Sequence, residues 1–179
     1  MIRYVRGPAP TCLADNAVKW TVRALEKVSM ASPQPFRWNE PCRKTVTADL
    51  SRASDHHCCF CDSYPLDPPT IEHFRPKSVF PEESFARTNL FAACAGCQGA
   101  KLDSYHSDLL RPDRNSFRFE AYFDIDTRFR IIPRSTASAY MQRRASRTIE
   151  TFDLNREALR RSRHDLVLRG RDLSVYRFM

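Results

Sequence analysis

Three short strings organise this chain: Cys58-Cys59-Phe60-Cys61; then Thr70-Ile71-Glu72-His73-Phe74-Arg75-Pro76-Lys77-Ser78; then Asn89-Leu90-Phe91-Ala92-Ala93-Cys94-Ala95-Gly96-Cys97-Gln98-Gly99-Ala100-Lys101. They contain two CxxC pairs, Cys58/Cys61 and Cys94/Cys97, with 32 residues between them. Each pair turns two thiolates toward one cation, and four thiolates fill a closed tetrahedral zinc shell. A closed shell supplies folding energy rather than chemistry. A redox CxxC would open a helix after a strand and would not need the second pair, and buried free thiols would need no spacing. Two pairs therefore read as structural zinc. Cys59-Phe60-Cys61 could supply the first pair instead, although the two-residue spacing fits better. Cys12 and Cys42 read as small buried hydrophobes.

Around this module the pattern is helical. From Asp55 to Asp103 no periodicity survives, yet the stretch carries five of the seven cysteines and three of the five histidines. Residues 1–54 form an N-terminal helical segment. A helix from Thr11 to about Ser32 places Leu13, Val18, Val22, Leu25 and Val28 on one apolar stripe with Trp20 at its flank, and Pro33 and Pro35 end it. A second helix runs from Asn39 as N-cap, with Pro41 in its first turn, to about Ala53. Residues 55–105 are the metal module, and residues 106–179 follow as a hairpin and Arg-rich helices. The hairpin pairs 117–123 with 128–132; the helices span about Ser135 to Phe152, and Asn155, as N-cap, to about Tyr176. The expected class is α+β, in one compact domain.

Composition sets the limits. A chain of 179 residues, 42% hydrophobic with 12 Phe, supports a real core and excludes wholesale disorder. No stretch approaches the roughly 20 apolar residues of a membrane span. The N-terminus passes from Met1 through Arg6 straight into Gly7-Pro8-Ala9-Pro10, which does not read as a signal peptide, so the expected location is cytoplasmic with reduced thiols. The formal charge of +8 excludes an acidic solvating chain. Residues 128–179 hold 13 Arg and no Lys against five acidic residues, a net of +8, whereas residues 55–105 are net −3. Zinc with four thiolates carries −2, so the zinc-loaded chain is nearer +6 and its module nearer −5. The positive charge thus lies outside the module. Arg143, Arg144 and Arg147, with Arg160, Arg161 and Arg163, are candidates for gripping a polyanion through counterion release. Guanidinium forks docking on an acidic partner, or a solvated helix face, are the alternatives.

The order of Glu72-His73-Phe74-Arg75-Pro76, Asn89-Leu90, and Cys94–Cys97 followed by Gln98 and Lys101 resembles the zinc-stapled HNH (ββα-metal) endonucleases. The opening Arg6-Gly7-Pro8-Ala9-Pro10 and the late Thr148-Ile149-Glu150-Thr151-Phe152-Asp153-Leu154-Asn155-Arg156 extend the likeness. Together they are similar to the PtuB family, the HNH component of Septu and retron anti-phage systems. The resemblance implies a zinc-stapled ββα-metal core flanked by helices, which cuts DNA beside a PtuA-like ATPase and sits, as one possible homo-oligomer, in a larger complex. It implies that His73 is the general base, that Glu72 ligates a catalytic Mg²⁺ or Mn²⁺, and that Asn89 orients the loop bearing the histidine. Gln98 stands where the family has Asn or His as second ligand; its longer arm shifts the ion, admits a water or weakens catalysis. Arg75, Lys77 and Lys101 are placed to meet phosphates. The alternative function is a zinc-ribbon nucleic-acid-binding or scaffold subunit without catalysis.

Overall fold

Short polar signals set the element boundaries, and aromatic burial sets how the elements face. The computed structural model describes residues 1, 4–30 and 38–169. After Pro10, α1 (Thr11–Ala14) and α2 (Ala17–Ser29) replace the single expected helix, with a break at Asp15–Asn16. The expected stripe is also turned outward. Val18, Val22, Leu25 and Val28 are exposed, while Trp20 and Ala24 face the protein. Trp20 packs on Trp38 and Phe85 with ring centroids 6.1 and 5.5 Å away, and an indole buries more surface than a valine. The large rings therefore choose the face. The Pro33–Pro35 helix end lies outside the described residues.

In α3 (Glu40–Ala53) the N-cap is the expected one: the Asn39 side chain accepts from the Cys42 N–H at 3.1 Å. Val46 and Leu50 are fully buried on its inner face. Cys12 and Cys42 are a correction. They are joined by a disulfide between α1 and α3, rather than being two independent small hydrophobes or free thiols.

Strand β1 (Thr70–His73) pairs antiparallel with β2 (Leu90–Ala93), in the register Thr70↔Ala93, Ile71↔Ala92, Glu72↔Phe91 and His73↔Leu90. The second strand is buried at every position and leads directly into α4 (Ala95–Lys101). Phe91 sits at the centre, with Tyr4, Phe60 and Phe74 around it. Arg6 lies over its ring at 4.2 Å and donates to the Arg87 and Leu90 carbonyls at 2.7 and 2.6 Å. This cation closes the open end of β2.

After the module the hairpin is shorter than expected. Residues Phe119–Tyr122 form one helical turn, α5, and only β3 (Phe123–Ile125) and β4 (Ile131–Pro133) pair. Phe117, Phe119 and Phe123 are all buried, and the chain turns into α5 at Phe119 instead of continuing as a strand. Then α6 (Ala139–Thr151) starts at an Ser138 cap, and α7 (Glu157–Leu168) follows a turn. Asn155 does not cap α7. Its amide instead accepts from the Ile131 N–H at 2.8 Å and donates to the Ile131 carbonyl at 2.7 Å, clamping β4. The expected helix end at Tyr176 lies outside the described residues. The class is α+β, and among the described residues no helix is long and apolar enough to cross a membrane.

Candidate functional site

The cysteine quartet is placed to hold a metal ion. The Sγ atoms of Cys58, Cys61, Cys94 and Cys97 all lie within 4.8 Å of one another, a separation suited to one tetrahedral cation. Local sequence builds this. The first knuckle is a tight turn with Asp62 at φ 64°, and Cys94 caps α4 while its sulfur accepts from the Cys97 N–H at 3.4 Å. The Cys94 N–H points at Cys58 Sγ at 3.4 Å, and the Ser63 hydroxyl lies 3.0 Å from Cys61 Sγ. Four cysteine sulfurs, three buried and that of Cys94 half-buried, with amide donors fit zinc, and this donor set offers no open position for substrate. Cys59 stands apart. Its backbone N–H pairs with Ala92, and burial pushes its thiol up to about 12, so Cys58 supplies the pair with Cys61.

A cleft of about 560 Å³ opens beside the β1–β2–α4 unit. Glu72, His73, Lys77 and Gln98 line it, together with Trp38 and Asp103. Three sites that are distant in sequence thus meet in one place. Asn89 holds the loop that follows β1: it accepts from the Arg75 N–H at 2.8 Å and donates to the Arg75 and Glu83 carbonyls at 2.9 and 3.1 Å. That loop returns the Ser84 carbonyl to His73 Nε2 at 2.9 Å. A carbonyl only accepts, so Nε2 carries the proton and Nδ1 keeps its lone pair. Burial pulls the His73 imidazole down to about 4, so it is neutral at pH 7.

Lys101 is not where a phosphate contact would be. It is fully buried, and its ammonium donates to Glu72 Oε1 at 2.7 Å and to the His73 carbonyl at 2.8 Å. Burial nonetheless pushes the Glu72 carboxyl up to about 7, against the pull of Lys101. Gln98 donates its amide N–H to the Ile71 carbonyl at 2.8 Å, which places it against the strand. Among the described residues, the cysteine quartet is the one group of three or more His, Cys, Asp or Glu side chains close enough to share an ion. A divalent cation at Glu72 would therefore rest on one carboxylate, at most an amide oxygen, and water. Mg²⁺, which keeps several waters, fits such a donor set.

The remaining basic candidates are already engaged. Arg75 pairs with Glu83 at 2.5 Å and reaches the Tyr105 hydroxyl at 3.2 Å. Arg143 pairs with Asp108 at 2.9 Å, Arg144 donates to the Asp108 and Leu109 carbonyls, and Arg147 approaches Glu150 at 3.8 Å. All three lie on α6, and Arg143 and Arg144 tie it to the 106–110 segment; on α7, Arg161 pairs with Glu157 and Arg163 is buried, donating to the Phe129 and Leu154 carbonyls. Lys77 is an exposed cation at the cleft, as is Arg43, which pairs with Glu40. Sequence reading passed over Arg156, whose guanidinium touches three of the four cysteine sulfurs. The only hint was its place in the late string that extends the family likeness.

Glu72 and His73 titrate in opposition. Glu72 is raised from 4.5, so its contribution to stability is fully present below pH 4.5 and is lost as pH climbs to about 7. His73 is depressed from 6.5, so its contribution is present above pH 6.5 and is lost as pH falls through about 4. Between 4.5 and 6.5 the two slopes cancel. Urea midpoints of Glu72→Gln, measured against wild type without added divalent ion, should expose the histidine alone. The variant gains stability relative to wild type as pH rises through that window, and a pH-independent difference would contradict the assignment.

A comparison of the chain with protein-family models finds no match, and neither does a comparison with curated proteins.

Proposed function

We propose that the protein is a zinc-stapled, HNH-type endonuclease that hydrolyses phosphodiester bonds of DNA with a bound Mg²⁺ or Mn²⁺. The observation that carries this reading is one cleft in which Glu72, His73 and Gln98 converge from β1 and α4, with His73 fixed in the Nε2–H tautomer. His73 Nδ1 takes the proton of a water, and the hydroxide formed attacks phosphorus. The bond to the leaving sugar oxygen breaks, and that oxygen collects a proton from solvent. Glu72 and the Gln98 amide oxygen are the groups that would hold the divalent ion, which when bound neutralises charge on the phosphate and leaving oxygen. Asn89 keeps the histidine loop in register, and Lys77 meets a neighbouring phosphate. The quartet of thiolates holds structural zinc and takes no part in the reaction. The family likeness supplies the rest of the proposal: an effector of anti-phage defence in the cytoplasm, working beside a PtuA-like ATPase.

A second reading has one observation in its favour. Lys101 already neutralises Glu72, as it would in a zinc-bearing nucleic-acid-binding or scaffold subunit that needs no second cation. Relaxation of supercoiled plasmid, with the ATPase supplied and with or without added Mg²⁺ or Mn²⁺, separates the two. The nuclease reading expects relaxation only with the added ion, and its loss in Glu72→Gln. No ion-dependent relaxation by wild type would leave the binding reading standing, and equal relaxation by wild type and Glu72→Gln would remove Glu72 from the chemistry.

A further inference from the structure

Arg156 sits between α6 and α7, far in sequence from the cysteine quartet, yet its guanidinium covers one face of it. Nη2 lies 3.4 Å from Cys94 Sγ, 3.7 Å from Cys97 Sγ and 3.8 Å from Cys61 Sγ, and Nη1 lies 3.6 Å from Cys97 Sγ. The fourth sulfur, Cys58, receives the Cys94 N–H. Nη1 also donates to the Phe152 and Asp153 carbonyls at 3.2 and 3.1 Å, so the arm is held from behind. Space for it is made on the other side by Gly96, within the second knuckle: a Cβ there would stand 2.9 Å from Nη2. Two elements distant in sequence thus agree on one contact.

We propose that Arg156 is part of the metal centre. It offsets the charge of the cation-bound thiolates and makes the docking of α6 and α7 depend on the bound cation. Four thiolates around a divalent cation leave a net −2 in a mostly buried place, where an uncompensated charge is costly. A guanidinium is permanently charged, weakly hydrated and planar, which suits it to lie over a face of three sulfurs. The short connection that carries it is a junction. Phe152 stacks on Phe60 of the first knuckle at 4.0 Å, Leu154 accepts from the buried Arg163 of α7, and Asn155 clamps β4. Loss of the cation releases the sulfurs from one another, breaks up the face on which Arg156 lies and loosens this junction. The Arg-rich C-terminal helices are thereby tied to the metal state of the knuckles. This inference is independent of the nuclease reading.

Transfer of zinc from the loaded full chain to excess 4-(2-pyridylazo)resorcinol tests it. Arg156→Gln should release zinc about tenfold faster than wild type, the scale expected when an outer partner of a metal ligand is removed. Arg156→Lys, which keeps the charge but not the fork, should fall between them, and Gly96→Ala should quicken release by displacing the guanidinium. Lys44→Gln, exposed on α3, should match wild type. Hydrogen exchange of zinc-loaded Arg156→Gln should rise over residues 157–168 while β1 and β2 keep their protection. Should Arg156→Gln not fold, Arg156→Lys and Gly96→Ala carry the test. Release within twofold of wild type in every folded variant overturns the proposal. Unchanged exchange in α7 overturns the coupling to the C-terminal helices.

Discussion

Removing the cation that the cysteine quartet is placed to hold should unfold the β1–β2–α4 unit. The two strands are four residues each and α4 is seven, lengths that do not stand alone in water. Besides the Cys59 N–H on the Ala92 carbonyl and the Phe60–Phe91 ring contact, what joins them to the first knuckle is the quartet of sulfurs within 4.8 Å. Structural zinc in small modules contributes on the order of 10–16 kcal/mol of folding free energy, which rivals the whole stability of an ordinary domain at about 5–15 kcal/mol. Elemental analysis should find a single zinc per chain, and a chelator should abolish the near-ultraviolet circular dichroism of the packed aromatic rings. Cys97→Ser should behave like the stripped protein, whereas Cys59→Ser, outside the quartet, should keep both zinc and fold. A folded chain without zinc would contradict this account of the module.

Lys101→Met should cost about 3–5 kcal/mol at neutral pH, the range for breaking a buried pair by removing one partner. Lys101 and Glu72 are both almost fully buried, and the ammonium also satisfies the His73 carbonyl. Without it the carboxylate has no neutralising neighbour, and Glu72, already raised to about 7, is driven further toward its protonated form. The sign follows from that direction. The variant is closest to wild type at low pH, where Glu72 is neutral in the folded state, and falls behind as pH rises. Chemical denaturation at several pH values reads the difference. The double variant Lys101→Met/Glu72→Gln should recover much of the loss, and a loss that persists in the double variant at every pH would place the cost elsewhere.

The convergence of the four cysteines was the most legible part of the sequence, because CxxC spacing is a local geometric requirement and two copies of it constrain each other. The Asn39 cap was legible for the same reason. Asn155 has the residue type of a cap, yet its amide satisfies Ile131 across 24 residues, a competition that no local pattern records. In α2 the apolar period is real, but the burial of Trp20 against Trp38 and Phe85 turned the stripe of valines outward. Lys101 reads as a surface cation, and only the fold brings it to Glu72. Cys12 and Cys42 carry no spacing signal; α1 and α3 bring their Cα atoms to 5.8 Å. Arg156 was missed because its partners lie 59 to 95 residues earlier in the chain. In each case a long-range partner outweighed a short-range preference.

The decisive measurement is relaxation of supercoiled plasmid by wild type and by His73→Ala, both zinc-loaded, with Mg²⁺ or Mn²⁺ and the proposed ATPase partner supplied. With Nε2 held by the Ser84 carbonyl, Nδ1 of His73 is the atom proposed to take the proton from water. Its loss should slow cleavage about 10²–10⁴-fold while zinc content and folding remain those of wild type. Equal cleavage by the two proteins would contradict the proposed mechanism and remove the nuclease assignment from this cleft.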